Sequence, residues 1–327
     1  MKLFLKALIL LVFSINLHAQ VFSTYLENDV IDGDDKHYTS GTAFTYLSDK
    51  DTNNSEKYNN KFYKLVSKIP TFHDDLKYQT LGITYSHLVF TPSNLHEKNK
   101  IVGDLPYAGV ATLDFMIFKW DERLFHQYML TLGLVGPSTK TSQLQEGFHD
   151  FLGGTAPQGW NNQLEDDFLY NFSYSFGYKA YRNKIGYNKV DLVNSFKIDV
   201  GNYTRAVQLG SVLRYGYNYP NNFNTVGRFI GGNEHKLLNL DSKTNKNFGW
   251  SISYGLAYSY IDYFYVNDYD KSFQNEKIEN VLTQVVSLDG YFNSYVLSFV
   301  YKSSDLAFDN NNNLKNTWAG VNIAYLF

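Results

Sequence analysis

The sequence predicts an all-β fold, a 12-stranded antiparallel outer-membrane β-barrel with short helices in its loops. Three observations carry this. The chain opens on an export leader. Its later segments alternate apolar and polar residues with a period of two. The apolar face of that alternation is unusually rich in aromatic residues, 28 Tyr, 25 Phe and 4 Trp in 327 residues. Yet mean hydropathy is only −0.34. Half-apolar, half-polar strands produce that combination, because a barrel shows one face to lipid and the other to its lumen.

The leader reads MKLFLKALILLVFSINLHAQ. Lys2 and Lys6 give it a basic start, Ala7 to Phe13 an apolar core, and Leu17-His18-Ala19 a small-residue cleavage site. This is the pattern of a secretory signal peptide, residues 1–19, cut after Ala19. Cleavage removes two lysines and takes the net charge from −3 to −5. Beyond Ala19 no apolar run approaches the roughly 18 residues a spanning helix needs. Residues 20–327 are expected to form a single transmembrane barrel domain.

Alternation defines the strands. Phe168, Tyr170, Phe172, Tyr174, Phe176 and Tyr178 face one way, while Asn171, Ser173, Ser175 and Gly177 face the other. Trp250, Ile252, Tyr254, Leu256, Tyr258 and Tyr260 oppose Ser251, Ser253, Gly255, Ala257 and Ser259. A helical period of 3.6 would mix these sets. The chain ends on the same alternation, Ala319, Val321, Ile323, Tyr325 and Phe327. A C-terminal strand closing on Phe is similar to the signal for outer-membrane barrel assembly. A soluble sandwich also alternates, but lipid explains the aromatic face better. Expected strands are 20–28, 38–48, 79–91, 107–120, 124–136, 164–181, 187–201, 204–217, 247–263, 279–291, 294–308 and 316–327. Segment 53–72 carries Tyr58, Phe62, Leu65, Val66 and Ile69 at helical spacing, which predicts a short amphipathic helix at the barrel base. In 141–152, Leu144, Phe148 and Leu152 share one face of a helix, and Gln145 and His149 share another.

Several chemistries are excluded. With no cysteine there is no disulfide scaffold, thiolate zinc site or Cys nucleophile. No G-x-S-x-G elbow occurs. Lys plus Arg (29) do not outnumber Asp plus Glu (32), and there is no basic run, so nothing points to nucleic acid.

An even strand number leaves both termini in the periplasm, and connections 1–2, 3–4 and 5–6 then face outward. They hold the densest polar clusters in the chain: Glu27-Asn28-Asp29 with Asp32, Asp34, Asp35 and His37 to Gly41; Thr91-Pro92 through Lys98, Lys100 and Asp104 to Pro106-Tyr107-Ala108-Gly109; and Gly136-Pro137, Gln145, His149 and Gly159-Trp160 with Gln163-Leu164. A rim of this kind can carry general acid-base chemistry, for which histidine is the commonest side chain. His37, His87, His96 and His149 are all candidate bases at this rim. Asp29 and Asn28 add oxygen donors to this rim. The plain readings stand beside these: Asp29 as a turn residue, Thr39 as barrel lining, the Asp32–Asp35 run as a solvated loop, and Lys98 and Lys100 as ordinary surface cations.

These motifs give the sequence its resemblance. Glu27-Asn28-Asp29, Asp35 to Gly41, Thr91-Pro92, Pro106 to Gly109, Gly136 to His149 and Gly159 to Leu164 occur in the order found in the outer-membrane lipid A 3-O-deacylases, the LpxR family. The resemblance implies a twelve-stranded barrel in the outer membrane that depends on calcium, to which Asp29 and Asn28 could supply oxygen ligands. It implies removal of the 3'-acyloxyacyl group of lipid A, with lipid A or lipopolysaccharide and outer-membrane lipids as partners, in a monomer. It places the catalytic histidine at His149, the Asn-Asp pair at Asn28 and Asp29, and the hydroxyl residue at Thr39. The family's lysine falls on Lys98 or Lys100. Two positions depart: His87 stands where the family often has Gln, and Leu105 where it often has Arg. Another outer-membrane lipase or esterase, or a non-enzymatic pore or adhesin, are the alternatives.

Overall fold

The computed structural model describes residues 19–29, 37–48, 51–52, 68–69, 71, 76–152, 157–227, 248–277, 279–304 and 316–327. The expected leader up to His18 and the helix expected over 53–72, apart from Lys68, Ile69 and Thr71, lie outside those residues.

Twelve long strands form the fold: β1 (Ala19–Asn28), β2 (His37–Ser48), β3 (Tyr78–Thr91), β4 (Ala108–Trp120), β5 (Leu124–Val135), β6 (Asp167–Ile185), β7 (Asn188–Gly201), β8 (Thr204–Tyr217), β9 (Gly249–Phe264), β10 (Asn280–Phe292), β11 (Tyr295–Ser304) and β12 (Asn316–Leu326). Each pairs antiparallel with its sequence neighbour, and β1 also pairs with β12, Thr24 opposite Ile323. The sheet is therefore closed. A two-residue bridge, Asp51–Thr52, extends it beside Tyr78 and Gln79. Among the described residues the expected boundaries hold closely, while 247 and 305–308 of two expected strands lie outside those residues. The largest shift is at β6, expected over 164–181, because its pairing with β7 continues down to Ile185 opposite Asn188.

Burial is inverted relative to a soluble protein. Large apolar side chains face outward: Phe172 is 50% exposed, Leu209 58%, Phe299 52% and Ile323 55%. Small polar groups face inward, with Thr84, Asp114, Thr131, Ser251 and Ser298 at 0%. A soluble sandwich would do the reverse. Only a bilayer makes this arrangement favourable, since apolar area belongs in hydrocarbon and lumen positions carry the polar groups. No described helix is long and apolar enough to cross a membrane, so the strands do the crossing.

The lumen is packed near both rims. At the rim carrying Asn28, His37, Thr91 and Asn316, an apolar cluster spans the mouth. Tyr38 meets Phe90 (5.4 Å between ring centroids) and Trp318 (5.6 Å), and Phe90 meets Phe264 (5.8 Å). A short helix, α2 (Tyr265–Asp268), adds Tyr265 and Val266 to it. The helix expected over 141–152 is present and comes before α2 in the chain; it is α1 (Thr141–Leu152).

At the opposite rim, residues 218–227 turn inward from the end of β8. Phe223 packs on Phe125 (5.0 Å) and on Phe118 (6.5 Å). Arg214, 1% exposed, donates from Nη2 to Asp191 Oδ2 (2.7 Å) and to the Asn222 carbonyl (3.0 Å). Gln208 donates to the Gly227 carbonyl (3.0 Å), and Asn224 to Ser253 Oγ (2.9 Å). A charge pair this deeply buried is costly to leave half-made. Arg214→Met strands the Asp191 carboxylate and is expected to lower the free energy of unfolding by about 3–5 kcal/mol, while Arg214→Met with Asp191→Leu recovers most of it. Urea unfolding of the protein in lipid vesicles measures both.

Candidate active site at the loop rim

The connection between β1 and β2 is closed by one backbone hydrogen bond, from the Asp29 amide to the Thr39 carbonyl (3.1 Å). Asp29 and Thr39 are each 4% exposed. The β2–β3 register shifts between Tyr38 and Ser40, which makes Thr39 the extra residue of a bulge. Its hydroxyl shares a hydrogen bond with the Thr91 hydroxyl (2.7 Å), so the first motif meets the Thr91-Pro92 motif. Beneath them, buried Glu27 accepts from Tyr25 (2.8 Å) and from Tyr38. Gly41 makes this possible, because a Cβ there would overlap the Tyr38 hydroxyl.

The other motifs pack beside this pair. The Gly136 amide bonds the Gly109 carbonyl (3.0 Å), joining the G-P and P-Y-A-G segments. A Cβ on Gly109 would overlap Thr139 and Thr141, so glycine lets α1 begin against β4. Thr141 shares a hydrogen bond with His87 Nε2 (2.9 Å). Trp160 Nε1 donates to Gln145 Oε1 (2.9 Å), and the Trp160 ring lies 4.9 Å from Tyr107. The Leu164 amide bonds the Tyr107 carbonyl (2.9 Å). Burial pushes the Tyr107 hydroxyl up to about 12. It therefore stays protonated and donates to the Leu95 carbonyl (3.3 Å).

Position 149 lies one turn beyond Gln145 on the same face of α1. The His149 side chain lies outside the described residues. So does the Asp32–Asp35 run with Lys36.

The two candidate lysines differ. Lys98 is exposed, and its carbonyl accepts from Asn162 Nδ2 (2.7 Å). Lys100 lies 3.6 Å above the Phe273 ring and 3.5 Å from Asp270, and donates to Ser272. It joins the 92–107 connection to the segment after α2. The departures also have places. His87 braces the start of α1. Leu105 is fully buried in the apolar cluster at the mouth, where a guanidinium would lack water. Of the other candidate bases, His96 is exposed, and the His37 imidazole lies 3.5 Å from Asp104. The sequence places Asp104 and Gln145 at this rim, but nothing local names their partners His37 and Trp160, or sets Asn316 beside His37.

Calcium takes six to eight oxygen ligands. Asn28 and Asp29 offer oxygen donors and so fit a hard cation by type. Among the described residues no group of three or more His, Cys, Asp or Glu converges on a metal position. The rest of a shell would be backbone carbonyls and water.

The family described as outer membrane protein LpxR matches residues 3–327. The chain belongs to the LpxR family. Among solved structures it is similar to LpxR from Salmonella typhimurium, with a TM-score of 0.75 and 13% identity, covering 94% of this chain and 100% of that one. At that identity the likeness shows a shared barrel. The translocator domain of the autotransporter NalP from Neisseria meningitidis also matches, with a TM-score of 0.44, 7% identity, and coverage of 100% of this chain and 95% of that one. A search of curated proteins finds no sequence match. An outer-membrane barrel of the LpxR family is thus established on fold and family together.

Asp104 gives the rim a pH dependence. Burial raises its carboxyl, but contacts with His37 and Ser93 outweigh burial and hold it below the ordinary 3.8. A depressed carboxylate stabilises the folded state above its unfolded pKa and loses that contribution as pH falls through its folded pKa. The Tm difference between the wild type and Asp104→Asn is expected to be largest near neutrality and to close below about pH 4.

Proposed function

We propose that this chain is a calcium-dependent lipid A 3'-O-deacylase, which hydrolyses the 3'-acyloxyacyl ester of lipopolysaccharide in the outer leaflet. The observation that carries this reading is the LpxR family match over residues 3–327. The meeting of the family's motifs at one rim supports it, through the Asp29–Thr39, Thr39–Thr91, Gly136–Gly109 and Trp160–Gln145 contacts. The leader read over residues 1–19 supports export, and the even strand number turns this rim outward.

The proposed chemistry is attack by water. His149 Nε2 or Nδ1 takes the proton as the water oxygen bonds to the ester carbonyl carbon, a general-base step worth roughly 10²–10⁴-fold. The carbonyl–oxygen bond to the 3'-position of lipid A then breaks. The proton passes from His149 to that oxygen, and the acyloxyacyl group leaves as a carboxylic acid. Thr39 orients the water or the ester. Asn28 and Asp29 would hold the calcium, which supplies positive charge for the oxyanion when bound. Lys98, which is exposed, would meet a lipid A phosphate. Lys100 is already engaged by Asp270 and Ser272. The packed lumen disfavours a pore: residues 218–227 and the apolar cluster at the mouth occupy it.

Purified protein in detergent with lipid A and calcium is expected to release a 3'-acyloxyacyl mass. His149→Ala is expected to lower the rate by about 10²-fold or more, and chelation of calcium to abolish release. Lipid A of unchanged mass overturns the reading. Fatty acid released from phospholipid but not from lipid A would assign the same rim to a different lipase.

A further inference from the structure

β2 opens on a residue that the proposed chemistry does not use. His37 has φ 65°, in the left-handed region that side chains rarely adopt, and it is 1% exposed. The imidazole makes a hydrogen bond on one side and a longer charge contact on the other. Nδ1 shares a hydrogen bond with Asn316 Oδ1 (3.0 Å), and Nε2 lies 3.5 Å from Asp104 Oδ1. Asp104 in turn accepts from the Ser93 amide (2.8 Å), the Ser93 hydroxyl (2.6 Å) and the Leu105 amide (2.7 Å).

These partners belong to different parts of the rim. His37 ends the β1–β2 connection, Ser93 and Asp104 lie in the β3–β4 connection, and Asn316 follows the β11–β12 connection. One side chain thus ties three rim connections. Thr39 follows two residues later as the bulged residue, its carbonyl on Asp29 and its hydroxyl on Thr91. The unusual backbone angle at His37 sets the direction in which the chain enters that bulge. A strained residue held from both sides next to a candidate site is a common mark of enforced geometry.

We propose that His37 is a positioning residue: clamped between Asp104 and Asn316 in a left-handed conformation, it fixes the Asp29–Thr39 arrangement. Its kinetic consequence rests on the proposed deacylation. Its structural consequence does not.

Two variants separate backbone from side chain. His37→Gly relaxes the left-handed angle and removes both imidazole contacts. His37→Asn tolerates that angle and keeps an amide N–H near the Nδ1 position. With folding checked by resistance to SDS without heating, His37→Gly is expected to lower kcat on lipid A by about 10- to 100-fold with KM unchanged. His37→Asn is expected to restore most of that loss. A rise in KM with kcat unchanged, or kcat and KM both equal to wild type in His37→Gly, overturns the positioning role. Trypsin cleavage after exposed Lys98 in the same samples needs no lipid A. Faster cleavage in His37→Gly than in wild type supports the clamp even where wild type fails to deacylate lipid A, a failure that would count against the proposed function alone. Equal cleavage rates in wild type and both variants overturn the clamp.

Discussion

The constraint on which everything else depends is closure of the backbone hydrogen-bond ladder. In hydrocarbon an unpaired amide or carbonyl has no water to turn to, so a spanning sheet must have no edge. Here that is met at one seam, where β1 pairs with β12 from Val21 opposite Leu326 to Asn28 opposite Ala319. Once the sheet is closed, β1 has a neighbour on each side. The residues at its end, Asn28 and Asp29, are then flanked by the starts of β2 and β12. The first motif of the sequence comes to lie beside residues near the last strand, which is how His37 reaches Asn316 across 279 positions.

Closure also divides the labour between faces and ends. The lipid face needs only apolar area, and Leu209, Leu256 and Phe299 supply it. The lumen needs its polar groups matched, and Arg214 with Asp191, and Thr131 with Asp114, meet that need. The rim is the place where backbone can leave the ladder and take other shapes. The β2 bulge, the left-handed His37 and Gly136 (φ 103°) all sit there, as does α1 against Gly109. The polar motifs gather where the bilayer no longer dictates conformation.

How much of this could be read from the sequence follows from the same division. Strands were legible because the bilayer enforces strict alternation: Tyr254 out and Ser253 in is the same statement in sequence and in structure. α1 was legible from Leu144, Phe148 and Leu152, and its observed span matches the expected 141–152. The convergence of motifs was legible from topology, since alternating strands send connections 1–2, 3–4 and 5–6 to one rim. What stayed hidden were long-range polar pairings. Nothing near Asp104 names His37, and nothing near Arg214 names Asn222. The inward turn of residues 218–227 has no periodic signal. The contacts of Lys100 with Asp270 and Ser272 span 170 and 172 positions, which no local pattern announces. Leu105 looked like a lost cation at the mouth, whereas its burial makes it part of the apolar core.

The most direct test of the account is a cross-link at the seam that makes the site. The chain contains no cysteine, so Thr24→Cys with Ile323→Cys introduces a single reporter pair. Paired antiparallel residues lie about 4.5–5.5 Å apart between Cα atoms, within disulfide reach. Oxidation in isolated outer membranes is expected to give an intramolecular disulfide, seen as a band of altered mobility that reverts on reduction. Absence of that bond in folded protein, or its formation only between chains, would mean that β1 does not close on β12, and the rim assembled from it would not exist as described.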